Sequence, residues 1–520
     1  MQLNRATGMI FVILITYFII NLFFLTAFPF VHSDEAWLSG LSRAMSEKKH
    51  LAITEPFFDL YPRTPHAIKT IFHLIQIPFM KLFGYRVFSF RLLSLIFGTI
   101  TLYFFYQLAL SLLAAHKLAL LATLLLAVDI QFIYASHFAR QEIVLLFSLV
   151  LALYLLLKDQ KYYRERLIAR DIMVGVIIGL SIGIHPNSFI IAVPLVSLYL
   201  YHLLITKKLP ARNFVAFSLT LVALAICFIT LSFSFDPNFL TNYLQYGESL
   251  GVLHPLSSKI DSLDYFYLKL YYGVSGTYYT PLIKPQLLLF SAVLVLALLK
   301  LLMVQDQAER ESTIILLLTI LAINSGYIII GRYNQTSIIF IFPLFYLLTT
   351  KVLRKKIIIL VIIMGIAINS GLNLHTGVYD NDYQHYLSQI AKTVSPSAVV
   401  LANLNSEYYF AGGKLYDYRN LSYLKPHGLS FSEYINQNRI EYIIYPTEMD
   451  FIYQSRPRWN ILYGNVAIYY QEMQDFLRNK CTLIDQFTNK TYGIRIARYI
   501  GKKDWQIKIY RVIVANPGGG

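Results

Sequence analysis

Between Gly8 and Pro29 the chain runs 22 residues without a charge, and ten further apolar segments follow. A bilayer core needs roughly 20 apolar residues per helix, and backbone exposed to lipid must satisfy its own hydrogen bonds. The repeated runs therefore restrict the chain to a polytopic α-helical membrane protein. Eleven spans read at 8–30, 86–113, 117–135, 141–157, 171–185, 187–206, 213–234, 286–304, 313–331, 335–350 and 357–374. Only 14% of residues are charged, against about 25% in ordinary soluble domains. The first span is too long for a cleavable signal and no small-residue cleavage site follows it, so it reads as a retained helix.

Charge orients these spans. A net charge of +16 invites a nucleic-acid reading, but the basic residues cluster in short turns: "KDQKYYRERLIARD" (158–171), "TKKLPAR" (206–212) and "KVLRKK" (351–356). The alternate turns, "HPN" (185–187) and "GRYNQ" (331–335), hold at most one basic residue. By the positive-inside rule the N-terminus, with Arg5, and the basic turns are cytoplasmic. The expected location is the cytoplasmic (inner) membrane, and no nucleic-acid partner is implied. Two long loops, 32–85 and 235–285, then lie outside the cytoplasm; the first contains an apolar stretch suited to an interfacial helix and the second is rich in aromatic anchors. Cys227 lies in an apolar helix and Cys481 in a distant polar region, so neither a disulfide framework nor a zinc spacing is present.

Beyond residue 374 the pattern changes. "SAVVLANL" and "IEYIIYP" read as short buried strands, "DYQHYLSQIAKTV" and "FSEYINQNRI" as amphipathic helices. The expected organisation is a membrane domain over 1–374, an extracytoplasmic α/β domain over 375–516 and a tail at 517–520. "AGGK" (411–414) lacks the surroundings of a phosphate loop.

The polar outliers gather on one side. "FVHSDEAWLSG" (30–40) sets Asp34 and Glu35 where the chain leaves the first span. Acids beside hydrocarbon are costly unless solvated, paired or functional, and Ser33–Asp34 also suits a helix start. A capping Asp and a general base are not exclusive. "SHFARQEIVLLF" (136–147) brings Arg140 and Glu142 to the same face, where a snorkelling Arg and a first-turn Glu are the plain alternatives. His185 in "GIHPNSF" is more often a turn histidine than a ligand. Arg332, alone at an outer edge, calls for an anion: a phosphate, a lipid headgroup or Glu142. With Lys69 these groups can share one outer surface, and an acid with cations at a lipid boundary fits chemistry on an amphiphile with an anionic head.

The ordered set of an uncharged first helix, "DE", "FSFRLLSLIFG" (88–98), "FARQE" and "GRYNQTSIIFIFPLF" (331–345) resembles the GT-C class of membrane glycosyltransferases. The likeness is to the branch of protein O-mannosyltransferases and lipid A aminoarabinose transferases, over roughly 1–350. It departs at "TPHAIKT" (64–70), where the family often has "HPPLYY", and at "IHPNS", where a Lys-Gly turn is common. The resemblance implies a polyprenyl-phosphate-linked sugar donor and a hydroxyl acceptor on a glycan, lipid or protein. It casts Asp34 as general base with Glu35 in support. It assigns Arg332, Lys69, His185 and Tyr333 to the donor phosphate, and Arg140, Glu142 and His66 to shaping the site. It makes no cofactor certain; a divalent cation, if one is used, belongs near His32, Asp34 and Glu35. The main rival is a lipid or polyol transporter, which needs polar residues inside the spans; the chief such residue is Asp129. A structural membrane protein whose C-terminal domain binds a partner is the second.

Overall fold

A computed structural model describes residues 2–158, 167–249, 251–274, 277–379, 382–496 and 504–513. Most of the basic turn 158–171 and the tail 517–520 lie outside the described residues. The apolar runs form helices, in order α1 (Gln2–Phe23), α2 (Ser33–Lys48), α3 (Thr70–Phe83), α4 (Val87–Leu113), α5 (His116–Ala127), α6 (Ile130–His137), α7 (Glu142–Leu157) and α8 (Ile168–Ile182). There follow α9 (Ser188–Leu200), α10 (Ala211–Phe235), α11 (Phe239–Ser249), α12 (Leu256–Tyr271), α13 (Lys284–Met303), α14 (Gln307–Ile330), α15 (Phe342–Leu353) and α16 (Lys356–Tyr379). A helix stands at each of the eleven span positions. Among the described residues seven helices are long and apolar enough to cross a membrane, or eight with the bent pair α5–α6 counted as one. The stretch 70–83, expected as an interfacial helix, is the short apolar α3.

The segment 117–135, expected as one span, is broken. The axes of α5 and α6 differ by 63°. Asp129 causes the break: its carboxylate accepts the backbone N–H groups of Gln131 and Phe132, which starts a new helix inside an apolar run. Its second oxygen accepts from Gln286 Nε2 at 3.1 Å and Tyr346 Oη at 2.7 Å, so this buried acid is fully partnered.

Small residues set a close helix contact. On α8, Gly175 and Gly179 face α10; a Cβ at Gly175 would stand 2.8 Å from the Phe217 carbonyl, and one at Gly179 2.8 Å from Leu224 Cβ. Four-residue spacing of small residues lets two backbones approach in this way. By contrast α10 and α13 turn many apolar side chains outward, as a lipid-facing surface requires.

The C-terminal region holds α17 (Tyr383–Ala391), α18 (Phe431–Gln437), α19 (Glu448–Ser455) and α20 (Val466–Lys480) around a five-stranded sheet. Its strands are β1 (Val399–Ala402), β2 (Lys414–Asp417), β3 (Tyr442–Pro446), β4 (Cys481–Asn489) and β5 (Trp505–Val512), in the order β2-β1-β3-β5-β4. β1 runs parallel to β2 and β3, whereas β5 is antiparallel to β3 and β4. The region is clamped onto the loop after α1. Arg43 Nη2 meets Glu407 Oε1 at 2.7 Å, Asp417 N–H donates to the Phe57 carbonyl, and Val31 N–H donates to the Tyr492 hydroxyl. A polar cavity remains between the helices and this region.

Candidate active site

α2 begins at a capping box. The His32 side chain accepts the Asp34 N–H at 3.0 Å, and Glu35 accepts the His32 N–H at 3.0 Å. The cap is thus His32 with Glu35, not Ser33–Asp34 as expected. One helical step separates the two acids' directions. Asp34 points into the cavity, whereas Glu35 is fully buried beneath it.

Glu35 is therefore removed from the place the sequence assigned it. Its carboxylate forms a two-pronged pair with Arg91, at 2.8 Å from Nε and 2.7 Å from Nη2, and also accepts the Ala139 N–H. Arg91 Nη1 reaches the carbonyls of Leu25 and Pro29. Both side chains have no exposed surface, and Glu35 does not line the cavity. A charge buried this deeply is tolerated when paired and hydrogen-bonded throughout. Arg91 was in view within "FSFRLL"; an Arg inside an apolar span requires an acid, and that requirement points to Glu35.

Asp34 keeps 24% of its side-chain surface, enough to meet a ligand. Its Oδ2 accepts from Tyr278 Oη at 2.5 Å and lies 3.2 Å from Arg140 Nη1. The Tyr278 ring stacks on His32 at 4.3 Å. Burial alone would raise the Asp34 carboxyl, but His32, Arg140 and the Tyr278 hydroxyl outweigh it and hold it well below the usual carboxylate range. Asp34 is an anion at every physiological pH. Burial pushes His32 down to about 4, leaving a neutral ring.

The cavity measures about 990 Å³ and is lined by Asp34, His66, Lys69, Arg140, His185 and Arg332, six of the expected site residues. Gly331 ends α14 in the left-handed conformation, with φ +68°, and the turn it makes carries Arg332 to the cavity. Lys69 is lowered to about 8, first by burial and then by Arg63, with Arg332 adding to the effect. His185 lies well below its ordinary value through burial and Arg332, and its Nδ1 accepts the Asn187 N–H, so Nε2 carries the proton. Burial likewise holds His66 at about 3, and its Nδ1 has no partner among the described residues. Glu142 stands one layer back: it pairs with Arg140 Nη2 at 3.1 Å and accepts from Thr336 at 2.6 Å. Glu142 is thus Arg140's partner rather than Arg332's. Tyr333, expected at the phosphate, donates its hydroxyl to the Lys259 carbonyl and does not line the cavity.

The residues expected near a cation, His32, Asp34 and Glu35, are each otherwise engaged. The positive charge at Asp34 comes from Arg140, Glu35 is taken by Arg91, and His32 Nδ1 is occupied by a backbone N–H. Among the described residues no three His, Cys, Asp or Glu side chains form a metal group.

The sequence alone did not reveal Tyr278 or the C-terminal lining, whose charged members are Arg419, Arg458 and Arg495. Nothing local marks the three arginines as site residues, because the chain returns to Asp34 only after some four hundred residues.

The fold resembles that of the GT-C membrane glycosyltransferases. Residues 67–241, about a third of the chain, match the family model of dolichyl-phosphate-mannose-protein mannosyltransferase. A crystal structure of ArnT from Cupriavidus metallidurans bound to undecaprenyl phosphate is 12% identical, covers 98% of this chain and 100% of its own, and superposes with a TM-score of 0.57. The Archaeoglobus fulgidus oligosaccharyltransferase tethered to an acceptor peptide is 11% identical, with 88% of this chain and 71% of its own covered and a TM-score of 0.51. The same enzyme in complex with Zn and sulfate gives 13%, 86%, 69% and 0.54. No curated protein matches the sequence. The resemblance to the GT-C class, on its O-mannosyltransferase and ArnT branch, thus extends from motifs to the whole fold.

Proposed function

We propose that the chain moves a sugar from a polyprenyl-phosphate donor to a hydroxyl acceptor by a single inverting displacement. The observation that carries this is Asp34, an anionic carboxylate facing a cavity whose other charged lining groups are Lys69, Arg140, Arg332, Arg419, Arg458 and Arg495. An anionic, lipid-linked substrate suits such a site. An apolar groove of about 400 Å³, lined by Ile178, Val193 and Leu221 among others, shares Phe189 with the polar cavity. It offers the donor's tail a path through the membrane layer while the phosphate meets Arg332 and Lys69.

In the displacement the acceptor oxygen attacks the anomeric carbon and the carbon–oxygen bond to phosphate breaks. The proton passes to Asp34, and polyprenyl phosphate leaves as a monoester. The leaving group gains one negative charge, which Arg332, Lys69 and the Nε2–H of His185 stabilise. At rest Asp34 is a weak base, since Arg140 and Tyr278 both stabilise its charge. As charge grows on the departing phosphate it competes for Arg140, whose Nε and Nη1 have hydrogen-bonding capacity to spare, and Asp34 gains basicity. The positive-inside bias supports a cytoplasmic N-terminus with the site outside. Against a transporter stands Asp129, which is closed by four hydrogen bonds and offers no polar station to a substrate.

The test is transfer by detergent-purified protein from a polyprenyl-phosphate sugar. Asp34→Asn should lower kcat by roughly 10²–10⁴ while donor binding persists. Full transfer by that variant, or uptake into liposomes without transfer, would overturn the proposal.

A further inference from the structure

Asp34 is acted on by cations from both parts of the chain, Arg140 from the membrane helices and Arg495 from the C-terminal region. On the side of the membrane helices, Lys69, Arg332 and Arg140 all act on His185, and Arg140 is balanced by Glu142 and Asp34. A donor phosphodiester brings one negative charge and leaves with two, which Lys69 and Arg332 match.

The C-terminal wall is left with charge to spare. Arg419 is balanced: its Nε and Nη2 meet Asp417 at 2.6 and 3.1 Å, and its guanidinium lies over Trp37 at 4.5 Å. Arg495 is not. Its Nη1 donates to Ser33 Oγ at 3.2 Å, its buried Nε has no partner among the described residues, and it makes no ion pair with a described residue. Burial and the nearby Arg419 both push Arg495 below its ordinary value. Glu448 makes no ion pair with the guanidinium: that carboxylate accepts the backbone N–H groups of Arg495 and Ile496 and the Tyr463 hydroxyl. Glu448 thus fixes the backbone beneath Arg495 and leaves the guanidinium free for the cavity. In the same cavity Asn460 Oδ1 is buried without a partner among the described residues, and Arg458 is exposed with no ion pair to a described residue. A half-buried guanidinium beside another, with no ion pair to a described residue, invites a ligand anion to complete it.

We infer that Arg495, with Arg458 and Asn460, forms a second anion subsite for a carboxylate or phosphate substituent on an acceptor glycan. This rests on the proposed transfer reaction. Its residues come from the C-terminal region and are distinct from Arg332 and Lys69, proposed at the donor phosphate. A saccharide fits the wall: Tyr61 and Tyr423 line it at right angles, 5.6 Å apart, as aromatic faces beside an amide and guanidiniums. An acceptor anchored by its anion at Arg495 presents a neighbouring hydroxyl to Asp34.

The experiment uses the full chain in neutral-lipid nanodiscs loaded with undecaprenyl phosphate. Binding of oligogalacturonate, its neutral methyl ester and a phosphorylated neutral oligosaccharide is measured by calorimetry. The acid or the phosphorylated sugar should bind at least about tenfold more tightly than the ester, and the stronger of the two names the substituent. Arg495→Gln and Arg458→Gln should each erase most of that preference, Arg495→Lys should restore part of it, and none should change undecaprenyl phosphate affinity. Arg332→Gln should do the reverse. Equal binding of acid, phosphorylated sugar and ester overturns the inference. So does loss of acid binding in Arg332→Gln, which means one shared site. Displacement of the acid by anionic-lipid nanodiscs assigns the wall to a lipid headgroup and also overturns it. Should Arg495→Gln fail to fold, the exposed Arg458→Gln decides alone. Failure of transfer chemistry shows separately, as absent turnover with intact acid binding.

Discussion

Replacing Glu35 by Gln distinguishes a structural acid from a catalytic one. In the fold Glu35 accepts two bonds from Arg91 and one each from the backbone of His32 and Ala139, with no exposed surface on either member of the pair. Gln keeps the shape but leaves the Arg91 guanidinium without a counter-charge, and breaking such a buried pair costs about 3–5 kcal/mol. With unfolding entropy of about 2.1 cal/mol/K per residue over 520 residues, that cost lowers the unfolding midpoint by about 3–5 °C. The assay is thermal unfolding of the detergent-solubilised protein beside donor turnover at a temperature where both proteins are folded. The double variant Glu35→Leu/Arg91→Met should recover much of the stability, since it removes both charges at once. Turnover at the permissive temperature should remain within about tenfold of normal, because neither residue reaches the cavity. An unchanged midpoint with turnover abolished would refute the reasoning and return Glu35 to the catalytic centre.

Lys69 gives a pH dependence. Its charged form is disfavoured by burial, with a folded value of about 8, so it is protonated below that pH and neutral above it. Undecaprenyl phosphate affinity should fall roughly tenfold between pH 7 and 9.5, and Lys69→Arg should flatten the curve. Between about pH 8 and Lys69's ordinary value the unfolded chain holds more protons at this residue, so its contribution to stability rises with pH, and the lost affinity is not unfolding. Arg332→Ala should weaken undecaprenyl phosphate binding at least about tenfold, whereas Tyr333→Phe should leave it unchanged, as read by titration of labelled lipid. Gly179→Leu should force α8 from α10 and cost about 1–3 kcal/mol, visible as a lowered midpoint; an unshifted midpoint would mean the helices do not pack through this glycine.

What was legible in the sequence follows the range of the forces involved. Span positions rest on local apolarity, and each produced a helix; "SAVVLANL" and "IEYIIYP" supplied β1 and β3 for the same reason. The break at Asp129 was hidden because a polar residue in an apolar run is equally an outer-end acid until Tyr346 and Gln286 are seen to reach it. Asp34 and Glu35 show the limit at finer scale. As neighbours of like charge in a loop they read as one feature, yet consecutive positions on a helix point about 100° apart. One then faces six cations of the cavity wall and the other a single buried arginine. Only the arginine held a clue, since Arg91 inside a span had to have a partner.

Arg419 and Arg495 held no clue of that kind. In a polar region their charge is unremarkable locally, and their proximity to Asp34 depends on how the sheet region sits on residues 30–61. That dependence gives the C-terminal region a role in chemistry. The clamp made by Phe57, Asp417 and Tyr492 fixes where Arg495 meets Ser33, one residue before Asp34. The two halves of the molecule therefore complete the cavity jointly, and a variant that loosens the clamp without unfolding either half should lose acceptor use before it loses the donor.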